Sequence, residues 1–289
     1  MTSKVGLIVE GGGMRGAYTA GVLEAFLDHD IQFPYAVGVS AGANTICSYL
    51  SGQKLRNKRL YTKWITDKRF MNWRNMFTEG AYFGMNFLFN ELPTQFDPFD
   101  MESFRKNATV FKVGITNCLT GKSEYREPKL ASSLEEADRI LQASSSLPFI
   151  AKMVVFDGVP YLDGGISDAI PIRQAEKDGF IYNVLILTRN TDYRKAPSKS
   201  LARASKYYFK RYPNLTDALS KRHQVYNDTL KYLNQLEQEG KVFIIRPHLP
   251  LEVDRYEKDQ TKLTKLYNQG YQETLEQLPK LLEWIAQIS

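Results

Sequence analysis

Ser40 stands in "GVSAG", Gly38 to Gly42, a G-x-S-x-G spacing between an apolar run and a helical pattern. That spacing suits a nucleophile. A tight strand-to-helix turn holds the hydroxyl out, and the residues two before and two after it must be small for the chains to pass. The helix that follows directs its N-terminal N–H groups toward developing negative charge. Upstream, "LIVEGGGMRGAYTAGVLEAF" sets Gly11, Gly12, Gly13 and Gly16 between another apolar run and another helical pattern. Such a loop holds an anion, and the question is which. Gly11, Gly13 and Gly16 fit G-x-G-x-x-G, but a dinucleotide site needs an acidic residue at the end of the second strand. Val39 and Ser40 stand there instead, and Ala17 and Tyr18 occupy the places where a phosphate-binding P-loop needs Lys and Ser or Thr. The remaining anion is the oxyanion of acyl transfer, held by the backbone N–H groups of Gly11, Gly12 and Gly13 beside Ser40. Arg15 either steadies this loop, attracts an anionic head group, or packs solvated on the helix.

A serine nucleophile needs a base, and the chain has three histidines, His29, His223 and His248. The order Ser40, Asp163, His248 suits a hydrolase triad. In that arrangement, however, several strands precede the nucleophile, and here one strand and one helix do. The favoured base is Asp163 in "YLDGG", where Gly164 and Gly165 let the chain turn and leave the carboxylate at a strand end facing Ser40. Asp157 also precedes a glycine, but "VVFDGVPY" makes it a hairpin-turn residue. An ordinary aspartate, with a pKa of about 3.9, is a weak base, so this reading predicts desolvated, apolar surroundings.

The elements that must position these groups follow from periodicity. Residues 4–9 and "YAVGVS" read as buried strands, each followed by a helix, which makes a right-handed βαβ unit with both turns at one sheet edge. "TVFKVGITNC" and "KSEYREP" form a hairpin about Thr120-Gly121, and "KMVVFDGVPYLDGG" a second one about Asp157-Gly158. Between the hairpins runs a helix with Ser133 and Glu136 in capping-box spacing. Pro171 starts a short helix that Gly179 ends. "FIYNVLILT" and "KVFIIRP" are late strands on either side of a helix from about Leu215 to Glu239. A last amphipathic helix carries Leu263, Leu266, Tyr267, Tyr271, Leu275, Leu278 and Leu282. The expected fold is an α/β sandwich with a mixed sheet. Residues 64–104, dense in Trp, Phe, Tyr and Met, are either a helical insertion on the sheet or an apolar cap over a greasy pocket.

With 289 residues, 43% of them hydrophobic, the chain can bury one large core, and a single domain is expected. The net charge of +6 is local: residues 188–222 hold ten Lys or Arg against Asp192 and Asp217. That segment, about 189–222, interleaves Tyr and Phe with the cations and is expected either to touch anionic membrane or to be a solvated face. No nucleic-acid motif accompanies it. Cys47 and Cys118 make neither a disulfide framework nor a CxxC pair, and are expected to be buried free thiols. No apolar run is long enough for a signal peptide or a membrane span, so a cytoplasmic protein, at most peripheral to the membrane, is expected. No metal-ligand spacing is present, and no cofactor is expected.

Taken together and in this order, "EGGGMRG" at 10–16, "GVSAG" at 38–42 and "DGG" at 163–165 resemble the patatin-like phospholipase family. The likeness covers about Val5 to Thr188. The stretch 189–289, a basic and helical extension expected to pack on this core, resembles bacterial members more than plant storage proteins. The resemblance implies a three-layer α/β/α sandwich around a mixed, mainly parallel sheet. It also implies a lipid acyl hydrolase with Ser40 as nucleophile, Asp163 as base and Gly11, Gly12 and Gly13 as the oxyanion hole. Arg15, Gly16, Gly38, Gly42, Gly164 and Gly165 would support them. Glu10 and Asp168 depart from residues common in relatives, which bears on head-group preference and removes no catalytic group. An acyltransferase or thioesterase would use the same dyad, and a non-catalytic lipid-binding protein could share the fold.

Overall fold

Val5, Leu7 and Val9 face one side of the first strand and Ile8 the other, and all four are fully buried. A strand buried on both faces belongs inside a sheet with helices above and below it. The computed structural model describes residues 4–288; Met1 to Ser3 and Ser289 lie outside the described residues. Strand β1 (Val5–Val9) leads through the glycine loop, with a 3-10 turn at Gly13–Arg15, into α1 (Gly16–Asp28). Strand β2 (Tyr35–Val39) leads through Ser40 into α2 (Ala41–Leu50), followed by α3 (Arg56–Thr62), α4 (Trp73–Thr78) and α5 (Met101–Lys106). Next come β3 (Val110–Asn117), β4 (Ser123–Arg126), α6 (Leu134–Ser145), β5 (Val154–Phe156), β6 (Val159–Asp163) and α7 (Ile172–Lys177). The chain ends with β7 (Tyr182–Ile186), α8 (Lys199–Tyr208), α9 (Pro213–Gln238), β8 (Val242–Ile245) and α10 (Gln260–Ile288).

Strands β3, β2, β1, β7 and β8 are parallel neighbours in that order, while β4 and β6 run antiparallel to β3 and β5 antiparallel to β6. One face of the sheet packs under α1, α2 and α10, and the other under α7 and α9. The architecture is the three-layer α/β/α sandwich, with both expected hairpins formed. Asp157 and Gly158 take φ of 49° and 78°, the left-handed pair that a two-residue hairpin turn requires. At the start of α6, Ser133 accepts from the Glu136 amide, but the Glu136 carboxylate reaches back to Ser132 rather than to Ser133. The capping box is therefore displaced by one residue on its return side.

The aromatic-rich segment holds short pieces: α4, a π-helical stretch at Phe87–Phe96 that contains Pro93, and α5. Its far end is tied back to α3 by the buried Asp97. Arg59 donates to both oxygens of that carboxylate, at 2.7 and 2.8 Å, and the Trp64 indole donates at 3.0 Å.

Helix α10 crosses α1 at backbone contact. A Cβ on Gly270 would lie 2.1 Å from the Tyr18 carbonyl oxygen, and one on Gly21 2.0 Å from that of Tyr267. Glycine in a helix costs about 1 kcal/mol relative to alanine; here the close crossing requires it. The Tyr18 hydroxyl seals the crossing by donating to Glu273 at 2.8 Å. Gly270→Val is expected to lower stability by about 3 kcal/mol, the upper range for overpacking a filled interior, read as a drop in the denaturant midpoint. An unchanged midpoint would mean that the helices separate at no cost.

Candidate active site

The registers of β3 bring Ser40 and Asp163 together. Val39 pairs with Gly114 and Asp163 with the next residue, Ile115. Strand β4 pairs with Val113 to Thr116 and overlaps both sets, so β2 and β6 share the opposite edge of β3, end to end. Because β2 runs parallel to β3 and β6 antiparallel, their C-terminal ends converge there. Ser40 follows one end, and Asp163 forms the other. A Cβ on Gly164 would lie 2.2 Å from the Gly114 carbonyl oxygen. Neither Gly164 nor Gly165 has positive φ, so "DGG" serves close approach to β3 rather than a special turn conformation.

Ser40 sits at φ 55° and ψ −129°, outside the regions comfortable for an L-residue, at the N-cap of α2. Such strain costs on the order of 1–3 kcal/mol and persists only where the surroundings enforce it. The flanking glycines do so. A Cβ on Gly38 would lie 2.9 Å from the Ala43 backbone, and one on Gly42 2.6 Å from the Glu10 carbonyl oxygen. The Ser40 amide donates to Ser144 Oγ at 2.8 Å, and Ser144 donates onward to the Gly114 carbonyl at 2.7 Å. The Ser40 carbonyl accepts from Asn44, which also donates to Ser145. Next in line, the Ser146 carbonyl accepts from the Asp163 amide at 2.9 Å. Three consecutive serines at the end of α6 thus fix both predicted site residues. Their sequence gave no hint of this, because a run of serines past a helix reads as an ordinary stop.

Asp163 is 2% exposed, and its Oδ1 accepts from the Gly165 amide at 2.8 Å. Its Oδ2 is buried with no hydrogen-bond partner, so it is a free acceptor and the Ser40 hydroxyl is not bonded to it. In resting enzymes such contacts are often open and tighten only around substrate. The first loop passes directly over the elbow: a Cβ on Gly11 would lie 3.0 Å from Ser40 Cβ. No loop or capping carbonyl among the described residues takes the amides of Gly11, Gly12 or Gly13, whereas the Met14 amide donates to the Arg255 carbonyl at 3.2 Å. Gly13 needs its φ of 59° and its missing Cβ to fit against that same Arg255. Gly16 likewise has no room for a Cβ beside the Tyr61 hydroxyl.

Two cavities meet at Ser40. One, of about 1210 Å³ with its open mouth included, is lined by the aromatic-rich segment, with Phe70, Phe83, Met85, Leu88 and Phe89 facing Ser40 and Ala41. The other, of about 500 Å³ with its open mouth included, is polar and contains Asp163, Glu10, Arg15 and Arg222. This corrects one expectation: the apolar space opens on the Ser40 side, while Asp163 faces cations. Arg15 is neither solvated nor ion-paired on the surface; it is buried, and burial beside Arg189 pushes its guanidinium down to about 10.

The histidines are elsewhere. His248 lies 3.8 Å from Glu273 on α10, His223 approaches the Ser220 carbonyl within α9, and His29 caps α1. The Ser40–Asp163–His248 triad is therefore not assembled. Both cysteines are free and buried. Among the described residues there is no cluster of three or more His, Cys, Asp or Glu able to hold a metal, and no helix long and apolar enough to cross a membrane.

The sheet, the elbow and the glycine loop define a patatin-like α/β fold, and comparison with known proteins agrees. The patatin-like phospholipase family matches residues 7–176, and the chain belongs to that family, whose membership implies lipid acyl hydrolase activity. A second family, a domain of unknown function (DUF6363), matches residues 212–286. The chain is 26% identical over 261 residues to the uncharacterized protein YjjU of Escherichia coli K12, covering 86% of this chain and 70% of YjjU. It is 25% identical over 206 residues to the lysophospholipase NTE1 of Meyerozyma guilliermondii, 66% of this chain but 13% of that protein. The crystal structure of VipD from Legionella pneumophila superimposes with a TM-score of 0.53 at 14% identity, covering 96% of this chain and 67% of VipD, a likeness of fold alone.

Proposed function

We propose that the chain is a serine lipid acyl hydrolase of the phospholipase A, lysophospholipase or esterase type, working through a Ser40–Asp163 dyad and an acyl-enzyme. The observation that carries this reading is the free, buried Oδ2 of Asp163 at the strand junction where the strained Ser40 stands, with an apolar cavity opening beside it. Asp163 takes the proton from Ser40 as its oxygen attacks the ester carbonyl. The amides of Gly11, Gly12 and Gly13 hold the oxyanion, and water then releases the fatty acid. The segment 64–104 acts as the apolar cap for the acyl chain. Each methylene buried there contributes about 0.8 kcal/mol, so kcat/KM for p-nitrophenyl esters is expected to climb about fourfold per methylene until the cavity is full. A profile flat from acetate to decanoate would contradict an acyl-chain site, and transfer of the acyl group to an added alcohol in preference to water would favour the acyltransferase reading.

Part of the basic stretch supports docking on anionic lipid. Tyr207 and Tyr208 on α8 are 86% and 63% exposed, beside Lys206, Lys210 and Arg211. Tyr208 packs on Phe149, next to Ile150, whose carbonyl accepts from the Tyr82 amide. Tyr82 in turn packs at a tilt against the exposed Trp73 of the cap. Charge reversal at Lys206, Lys210 and Arg211 is expected to abolish co-sedimentation with vesicles containing phosphatidylglycerol, each cation contributing roughly 1 kcal/mol. Binding that ignores both this variant and added salt would refute docking.

A further inference from the structure

The polar cavity has an excess of positive charge that nothing in the chain neutralises. Arg15, Arg189, Lys195, Arg222 and Arg255 line it, against the carboxylates of Glu10 and Asp163. They come from five separate places: the glycine loop, two positions after β7, the middle of α9, and the approach to α10. None of the five forms an ion pair among the described residues, and their close partners are neutral. Arg222 donates to the Gly165 carbonyl, Lys195 Nζ lies 4.0 Å from the centre of the Tyr226 ring, and Arg189 stacks on Tyr193 at 4.4 Å. Glu10 does not offset them by direct contact. It is taken up by the Thr188 amide at 2.6 Å, the Thr188 hydroxyl at 3.1 Å and the Tyr226 hydroxyl at 2.7 Å. Arg15 is 6% exposed, and its Nε is buried without a partner.

Arg15 is buried and the other four are half-buried, and gathering like charges in such a partly desolvated cavity is unfavourable unless an opposite charge completes the set. We propose that this cavity binds the phosphate of the substrate's head group, selecting anionic phospholipids whose head group carries no ammonium; the assignment rests on the hydrolase reading above. Ser40 and Gly13 line both cavities, so an ester carbonyl at Ser40 would have its acyl chain on the apolar side and its phosphate among the cations. A choline or ethanolamine ammonium would be driven against the arginines. Burial, then Arg222, push the Lys195 ammonium down to about 7 against the pull of Glu10, with Arg255 and Arg15 adding to the depression. A phosphate placed beside it restores its charge.

The test compares lysophosphatidic acid, lysophosphatidylcholine and monoacylglycerol of one chain length on the wild type, Lys195→Gln and Arg189→Gln. Binding of inorganic phosphate to Ser40→Ala, with and without each cation substitution, is measured by calorimetry. The expected result is a preference for lysophosphatidic acid over lysophosphatidylcholine of at least tenfold. That preference should fall by roughly tenfold in each variant, the loss of one hydrogen bond to a charged group, and phosphate binding should weaken in parallel. Cation-dependent phosphate binding without any lysophosphatidic acid preference would overturn the head-group assignment and leave a site for free phosphate. Absence of both the preference and phosphate binding would overturn the anion site altogether. Should the wild type hydrolyse none of the three esters yet bind phosphate through Lys195 and Arg189, the hydrolase reading fails and the anion site stands.

Discussion

Ser40→Ala is expected to lower kcat for any ester substrate by roughly 10⁶-fold, the loss seen when the nucleophile of a covalent mechanism is removed. The substitution is sterically mild: it deletes one oxygen and leaves the amide that donates to Ser144 and the carbonyl that accepts from Asn44. Stability should therefore change by less than about 1 kcal/mol, and a thermal melt run beside the assay separates lost chemistry from lost fold. Binding of substrate should survive, because neither cavity loses a wall. If the variant keeps a tenth of the wild-type rate, Ser40 is not the nucleophile and the elbow is only a turn.

Asp163→Asn is the second large effect. A positioned general base contributes typically 10²–10⁴-fold, and kcat is expected to fall by about that factor with KM little changed. The amide keeps an oxygen for the Gly165 N–H, and the Asp163 backbone stays bonded to Ser146, so the loop should hold its place. What is lost is the free oxygen that, in the proposed dyad, would receive the Ser40 proton. Arg222, which donates to the Gly165 carbonyl, adds positive charge beside this position. Full activity in Asp163→Asn would move the base elsewhere. His248 would not be the replacement, since it lies against Glu273.

The parts of the site legible in the sequence are those encoded by a few adjacent residues. The glycine loop, the elbow and "DGG" each state a backbone requirement locally, through missing Cβ atoms, and the structure gathers Gly11, Ser40 and Asp163 at one place. The fold class was legible for the same reason, because β1 and β2 each carry their turn and helix with them. What was not legible depends on distant pairing. That β2 and β6 meet end to end on one edge of β3 follows from registers that no periodicity encodes. Ser144 and Ser145 brace the elbow by hydrogen bonds across about a hundred residues of chain, and Ser146 holds the Asp163 amide. Arg189, Lys195 and Arg222, which belong to the basic stretch by sequence, turn toward the polar cavity beside Arg15 and Arg255. Charge counting along a chain cannot separate an inward cation from an outward one.

The C-terminal stretch also does more than cover the core. Residues matched by the family of unknown function supply α10, whose backbone contact at Gly270 holds α1. The segment just before it supplies Arg255, whose carbonyl fixes Met14 and whose side chain lines the polar cavity. Loop, helix and cavity are thus braced from the far end of the chain.

The most direct test of the central claim is the intact mass of the protein after exposure to a fluorophosphonate, run on the wild type, Ser40→Ala and Asp163→Asn. A single adduct on the wild type, absent in Ser40→Ala and formed slowly in Asp163→Asn, is the predicted result. An adduct that persists in Ser40→Ala, or none on folded wild type, would contradict the dyad.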